Sequence, residues 1–348
     1  MNYCGDFRTT YEKDMELLQT PATKVCVTAF FLFLLLWPQM VKSEYLWLTM
    51  QTIIAAIGAV GLNILTGYTG QISLGQGAFL GVGAYTSAYV TAKMGLPFWI
   101  GVPAAGAVTA MAGMVFGIPS LRLKGLYLAI ATLASQFILE WIFLRWEPVT
   151  GGSYGIVIPR PSLGGYVFES DRSYYYIVLF IAAAMILFAA NLMRTKTGRA
   201  FMAVRDHYIS AEIMGISLFK YRILSFGISS FYAGVAGALY GHSLQFVSSE
   251  QFSIHVSVVY LAMIIIGGLG SILGSIYGAV FMMLLPKLLT VATTKLALTF
   301  PRIAELAIAL EQGIFGAIII AFLIFEPDGL AHRWKMAKAY WKLYPFSY

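Results

Sequence analysis

Long stretches of this chain run without a charged residue, and no alternation of apolar and polar positions divides them. Residues 45–92, 94–121, 173–193, 223–249 and 251–286 contain no Asp, Glu, Lys or Arg. A helix rises about 1.5 Å per residue and the hydrocarbon core of a bilayer is about 30 Å thick, so about 20 residues cross it once. The longest runs must therefore cross twice. The pattern predicts an all-α, polytopic transmembrane helical bundle of about ten spans, with eight to ten as the range. They fall at 25–41, 46–66, 77–92, 97–118, 126–144, 174–193, 223–243, 252–267, 271–290 and 304–325. The first run follows acidic Asp6, Glu12, Asp14 and Glu16 and precedes no small-residue cleavage site, so it reads as a retained span rather than a signal peptide.

Two of the runs are interrupted by glycine instead of charge. The first break reads Gly67-Tyr-Thr-Gly70-Gln-Ile-Ser-Leu-Gly75-Gln-Gly77 and the second Gly267-Gly-Leu-Gly270-Ser-Ile-Leu-Gly274. Glycine at this density lowers helix propensity and admits backbone conformations closed to other residues. Non-helical backbone survives at membrane depth only where protein or a water-filled cavity satisfies its polar groups. One interruption in each half of the chain is the pattern of broken or re-entrant helices near a transporter's substrate path. Asn63, Gly67, Gly70, Gln71, Ser73, Gln76, Gly267, Gly268 and Gly270 are thus candidate path-lining or hinge positions. The alternative is that the glycines simply let helices pack closely.

Composition agrees with a lipid solvent: 59% of residues are hydrophobic and only 11% charged. A soluble domain has about a quarter charged. The formal charge of +7 would suggest nucleic acid in a soluble protein, but here the basic residues flank apolar runs and report topology, so no nucleic-acid partner is expected. A cytoplasmic N-terminus puts 15 of the 23 basic residues inside, including the dense patches 194–222 and 333–342. Both termini are then cytoplasmic. The expected organisation is a cytoplasmic segment 1–24, a transmembrane domain 25–325 with an external loop at 145–173 and a cytoplasmic segment at 194–222, and a cytoplasmic tail 326–348. Cys4 and Cys26 lie on opposite sides of the first polar-to-apolar boundary, which argues against a bridge between them.

Between residues 194 and 222 the apolar positions Ala203, Val204, Ile209, Ile213 and Met214 recur among charges, predicting a short amphipathic helix that Gly215 would end. Such a helix suits either docking into a partner's groove or lying on lipid head groups.

The chain has no Gly-x-x-x-x-Gly-Lys-[Ser/Thr] run, so it is not expected to hydrolyse ATP itself. His207, His242, His255 and His332 are dispersed without metal-ligand spacing, predicting no metal site and no cofactor. No paired-carboxylate constellation suggests an enzyme. Glu140, Glu305 and Glu311 are the acidic residues in apolar surroundings; each would cost about 3 kcal/mol at the bilayer centre and belongs at an interface or facing the interior. An ion-driven secondary transporter would want more titratable groups deep in the bundle than these.

The run 61–79, Gly-Leu-Asn-Ile-Leu-Thr-Gly-Tyr-Thr-Gly-Gln-Ile-Ser-Leu-Gly-Gln-Gly-Ala-Phe, resembles the signature of branched-chain amino-acid ABC permeases of the LivM type. So do Gly198-Arg-Ala-Phe-Met-Ala-Val-Arg-Asp206, Ala211-Glu-Ile-Met-Gly215, Gly267-Gly-Leu-Gly-Ser271 and Pro327-Asp-Gly-Leu330. The resemblance runs in order from about residue 46 to residue 331. It implies a bacterial inner-membrane permease subunit for leucine, isoleucine and valine. Its partners would be a second homologous permease, two cytoplasmic ATP-binding subunits and a periplasmic solute-binding protein. It further implies that Arg205, Asp206, Ala211, Glu212, Ile213 and Gly215 belong to the element that couples to the ATPase. Glu212 stands three residues before Gly215, closer than in the longer Glu-Ala-Ala-x-x-x-Gly loop of many importer permeases. Urea, short amides or other amino acids remain alternative cargoes of the same kind of machine.

Overall fold

Seven helices among the described residues are long and apolar enough to cross a membrane. The structure is a computed structural model that describes residues 21–123, 125–163, 166–168, 170–299, 313–322, 324–326 and 328–343. Cys4, Glu305, Glu311, Pro327, the segment 1–20 and the first part of the tenth expected span lie outside those residues.

In chain order the helices are α1 (Pro21–Met40), α2 (Ser43–Asn63, continued by a π turn at Ile64–Tyr68), α3 (Gln76–Ala88, continued by a π turn at Tyr89–Lys93), α4 (Phe98–Gly117) and α5 (Leu126–Arg145). There follow α6 (Asp171–Arg194), α7 (Lys196–Asp206), α8 (Tyr208–Ile213), α9 (Leu218–Leu244), α10 (Ile254–Gly267) and α11 (Ile272–Thr299). An apolar helix α12 (Gly313–Phe322) and a basic helix α13 (Gly329–Leu343) close the chain. Each expected span falls on a helix, the tenth in its described part only.

Burial separates inner from outer helices. In α2 and α9, 78% and 72% of the most apolar stretch is buried, against 39% in α4, α5 and α6, whose remaining faces are left for lipid or another subunit. The interior is closed by small residues. A Cβ on Gly237 of α9 would overlap the Leu80 carbonyl of α3, and one on Gly83 would overlap Gly234, so these two helices cross backbone to backbone.

Two expected spans differ from simple crossings. Helix α10 has 14 residues, a rise of about 21 Å, and reaches a spanning length of 19 residues, Ser249–Gly267, only together with the 3-10 turn that precedes it. Helix α3 starts inside the bundle, because its Ala78 N–H donates to Oε1 of Gln136 at 2.7 Å and Gln136 is midway along α5. Chain segments 69–75 and 245–253 therefore re-enter the bundle before each helix begins. The loop at 145–173 is not irregular throughout. Strand β1 (Ile156–Val157) pairs antiparallel with β4 (Phe246–Val247), with Ile156 opposite Val247, and β2 (Ser162–Leu163) pairs with β3 (Tyr166–Val167). The first pairing ties the loop to the end of α9.

Candidate coupling site at the two helix breaks

The two glycine breaks, about 200 residues apart in sequence, meet in space. Asn63 ends α2, is 1% exposed, and commits its whole side chain to the second break. Its Nδ2 donates to the carbonyls of Gly268 (3.3 Å) and Ser271 (2.9 Å) and to Ser275 Oγ (2.7 Å), while its Oδ1 accepts from the Gly270 N–H at 2.9 Å. A Cβ on Gly67 would collide with Asn63 Oδ1 and the Gly270 nitrogen, so only glycine allows this approach. Gly70, Gly268 and Gly270 have φ of +70°, +118° and +73°, conformations that L side chains rarely adopt. Gly267 packs on the Gly274 carbonyl of α11. Close packing describes Gly67 and Gly267, and a backbone closed to other residues describes Gly70, Gly268 and Gly270.

The segment 194–222 reaches this junction. Arg205, the penultimate residue of α7, donates from Nη1 to the Gly67 carbonyl at 2.9 Å. Its stem lies against Gly70, where a Cβ would be 3.1 Å from Arg205 Cγ, and its guanidinium against Gly270 at 3.0 Å from a Cβ there. Nε is paired with Asp206 Oδ1 at 2.8 Å. A fourth element joins at Gly329 (φ +76°), the first residue of α13, whose backbone lies on Gly267 and Gly268 so closely that a side chain could not be accommodated.

The expected single helix over 203–214 is instead two. His207 (φ −155°, ψ 89°) separates α7 from α8 and caps the latter, its Nδ1 accepting from the Ser210 N–H at 3.4 Å. The apolar positions divide accordingly. Val204 and Ala211 are buried, whereas Ile213 and Met214 are 80% and 81% exposed. Ile209, Glu212 and Phe219 are exposed beside them, and Gly215 (φ +83°) turns the chain after α8. Arg222, buried at the base of α9, stacks over the Tyr208 ring at 5.9 Å and holds α8 to the bundle.

The remaining candidates sit elsewhere. Gln71 donates to Ser225 Oγ of α9 at 2.7 Å. Gln76 donates to the Gly58 carbonyl at 3.0 Å, about three helical turns deeper than Tyr68. Ser73 is buried and accepts from the Gly75 N–H. At this depth a second polar layer forms around Gln136. Its Nε2 donates to the Phe252 carbonyl (2.7 Å), and its Oε1 accepts from Ala78 N–H and from Ser257 Oγ (3.0 Å), which in turn accepts from Gly77 N–H (2.8 Å). Thr132 caps the Leu74 N–H at 2.9 Å. Sequence reasoning missed Gln136, Thr132, Ser257 and Ser275; a lone amide in the middle of an apolar span was the available signal for Gln136. Replacing Gln136 by leucine strands the Ala78 N–H and the Phe252 carbonyl, at about 1–3 kcal/mol each. Thermal melts of the purified complex are expected to register a lowered midpoint, and Gln136→Glu, which keeps the acceptor only, is not expected to restore it.

The family model described as "Branched-chain amino acid transport system / permease component" matches residues 45–323. The chain is 33% identical to the high-affinity branched-chain amino acid transport system permease protein LivM of Salmonella typhimurium, covering 89% of this chain and 75% of that one. It is 27% identical to the probable branched-chain amino acid transport permease protein LivH of Methanocaldococcus jannaschii, over 80% of this chain and 89% of the other. It is 26% identical to the Autoinducer 2 import system permease protein LsrC of Enterobacter sp. (strain 638), over 74% and 76%. No solved structure gives a significant match. The matched region contains both breaks, the Gln136 layer and the segment that carries Arg205. An all-α, multi-pass membrane protein built around them, this chain belongs to the family of branched-chain amino acid transport system permease components.

Proposed function

We propose that the chain is the membrane-spanning subunit of an ATP-driven importer that carries branched-chain amino acids across a bacterial inner membrane. It works with a second, homologous permease, two cytoplasmic ATP-binding subunits and a periplasmic solute-binding protein. Similarity to both LivM and LivH proteins supports a paired, related permease. The observation that carries the reading is the Arg205 bond to Gly67. It connects the surface segment 194–222 to both glycine breaks, so a push on α8 can reach the backbone that must rearrange for alternating access.

In this reading both termini and α7–α8 face the cytoplasm. Ile209, Ile213, Met214 and Phe219 form an apolar patch beside Glu212, the composition of a short helix seated in a partner's groove. Arg205 faces the junction rather than the ATPase, with the exposed Asp206 paired to its Nε, and the buried Ala211 lies on the bundle side of α8. Ile213→Asp with Met214→Asp is expected to abolish co-purification of the ATP-binding subunits while the permease still inserts. Unchanged co-purification would overturn the docking assignment.

Similarity to an autoinducer 2 import permease favours a second reading of the cargo, in which the solute-binding protein sets specificity. The test of the whole assignment is leucine uptake by proteoliposomes holding the four-subunit complex, with binding protein on one side and ATP on the other and the proton gradient collapsed. Continued ATP-dependent uptake is expected; uptake that follows the proton gradient and ignores ATP would overturn it.

A further inference from the structure

Helix α11 keeps an apolar face uncovered where α13 passes it. Tyr277, Phe281, Leu284 and Leu288 of α11 recur at spacings of four, three and four, and Leu330, Trp334 and Ala337 of α13 at four and three, so each helix contributes one stripe. Between the stripes lies an open-sided groove of about 550 Å³, with Arg333 as its one charged lining residue. Its depth in the bundle is set by contacts to the two ends of α2. Ser275 accepts from Asn63 at the last residue of that helix, and Lys287 pairs with Glu44 in its first turn at 4.0 Å. The grooved stretch of α11 thus starts near the helix breaks and runs past mid-bundle. From residue 277 to residue 288 it rises about 16 Å, one leaflet's share of the roughly 30 Å hydrocarbon core.

Helix α13 closes the end of the groove nearest the breaks. Gly329 lies on Gly267 and Gly268, and Ala331 is buried, whereas residues 332–338 are all exposed. The helix carries Arg333, Lys335, Lys338 and Lys342 and no Asp or Glu. Arg333 is held by Glu326, but Lys335 and Lys338 have neither a hydrogen bond nor an ion pair among the described residues. A helix with an apolar stripe, an exposed tryptophan and uncompensated lysines suits the level at which acyl chains meet head groups.

We propose that the groove between α11 and α13 seats one acyl chain of an anionic phospholipid, in the leaflet on the side of the helix breaks, with its negative head group held by the lysines of α13. The depth of one leaflet, the apolar wall and the positive charge with no acid on α13 to offset it select this occupant over a protein surface. A soluble anion would find the charge but make no use of the groove, and a neutral lipid would find the groove but not the charge. The site is independent of which solute the chain carries.

Native mass spectrometry of the assembled four-subunit complex in detergent, titrated with dioleoyl phosphatidylglycerol or dioleoyl phosphatidylcholine, provides the test. The tightest phosphatidylglycerol site is expected to fill at a concentration at least fivefold below that needed for phosphatidylcholine. Lys335→Gln with Lys338→Gln is expected to erase that preference, and Ala337→Trp, which fills the groove, to weaken both lipids at least fivefold. Lys196→Gln with Lys220→Gln removes as much charge from the other basic patch, at exposed positions, and is expected to change neither. Lys335 and Lys338 are exposed, so their variant keeps the test valid should Ala337→Trp fail to fold. Equal binding of the two lipids by the wild type, an undiminished preference in the Lys335/Lys338 variant, an equal loss in the Lys196/Lys220 variant or wild-type binding in a folded Ala337→Trp protein would overturn the proposal. Displacement of the lipid by glycerol 1-phosphate would also overturn it, in favour of a site for soluble phosphate.

Discussion

Asn63→Leu is expected to leave little folded protein: a several-fold loss of purified complex and a sharply lowered melting temperature in what remains. Leucine has nearly the shape of asparagine, so packing survives while four hydrogen bonds vanish. Interhelical hydrogen bonds in membranes are often worth only about 0.6 kcal/mol, because the separated groups find other partners. That discount does not apply here. The Gly270 N–H and the Gly268 carbonyl belong to a non-helical turn with no intrahelical acceptor or donor to fall back on, whereas the Ser271 carbonyl keeps the Ser275 N–H at 3.0 Å. Each orphaned buried group costs about 1–3 kcal/mol, so losing two takes a large share of the roughly 5–15 kcal/mol that holds a typical domain together. Asn63→Asp separates the causes. It keeps an acceptor for Gly270 but turns a carboxylate toward two carbonyls, and it is expected to fare no better than leucine. If the Asn63→Asp protein were as stable as wild type, Asn63 would be a space-filler and the junction would need another explanation. Asn191→Leu, at an exposed position of α6, is the control and is expected to change nothing.

How much of this was legible in the chain follows from the range of each signal. Helix positions come from local composition, and the charge-free runs put each expected span on a helix, the tenth in its described part only, with the ninth ending nine residues short of Thr299. The breaks were visible because glycine is a local marker. That they touch was not, since the Asn63 bonds to Gly268, Ser271 and Ser275 join residues more than 200 positions apart. The register of α7 and α8 was misread for a physical reason. Val204 and Ile213 both look apolar in sequence, but one faces the bundle and the other faces out, and a single helix fitted to both hides the turn at His207. Gln136 was overlooked because one amide in an apolar span carries no pattern; only the structure reveals the two helix starts it satisfies. Gly329 was noticed as part of a motif, yet its role depends on the backbone of Gly268, far away in the chain.

Arg205→Ala is expected to uncouple the machine: the complex assembles and hydrolyses ATP near its basal rate, while leucine uptake falls at least tenfold. The Arg205 side chain is 38% exposed, and an exposed, charged contact of this kind adds little to stability, about 0–1 kcal/mol. Its removal should therefore spare folding, in contrast to Asn63. What disappears is the rigid connection between α7 and the breaks, because no other side chain of α7 has a hydrogen bond to Gly67 among the described residues. Arg205→Lys tests the geometry. An ammonium can reach the Gly67 carbonyl as a point charge but cannot also lay a planar guanidinium against Gly270 while pairing Asp206, so partial recovery is expected. Asp206→Asn removes only an exposed pair and should retain most transport. Uptake per ATP hydrolysed, measured on the same proteoliposomes, is the decisive ratio. An alanine variant with the wild-type ratio would mean that force enters the bundle by another route, and the Gly67 bond would then be an ordinary surface contact.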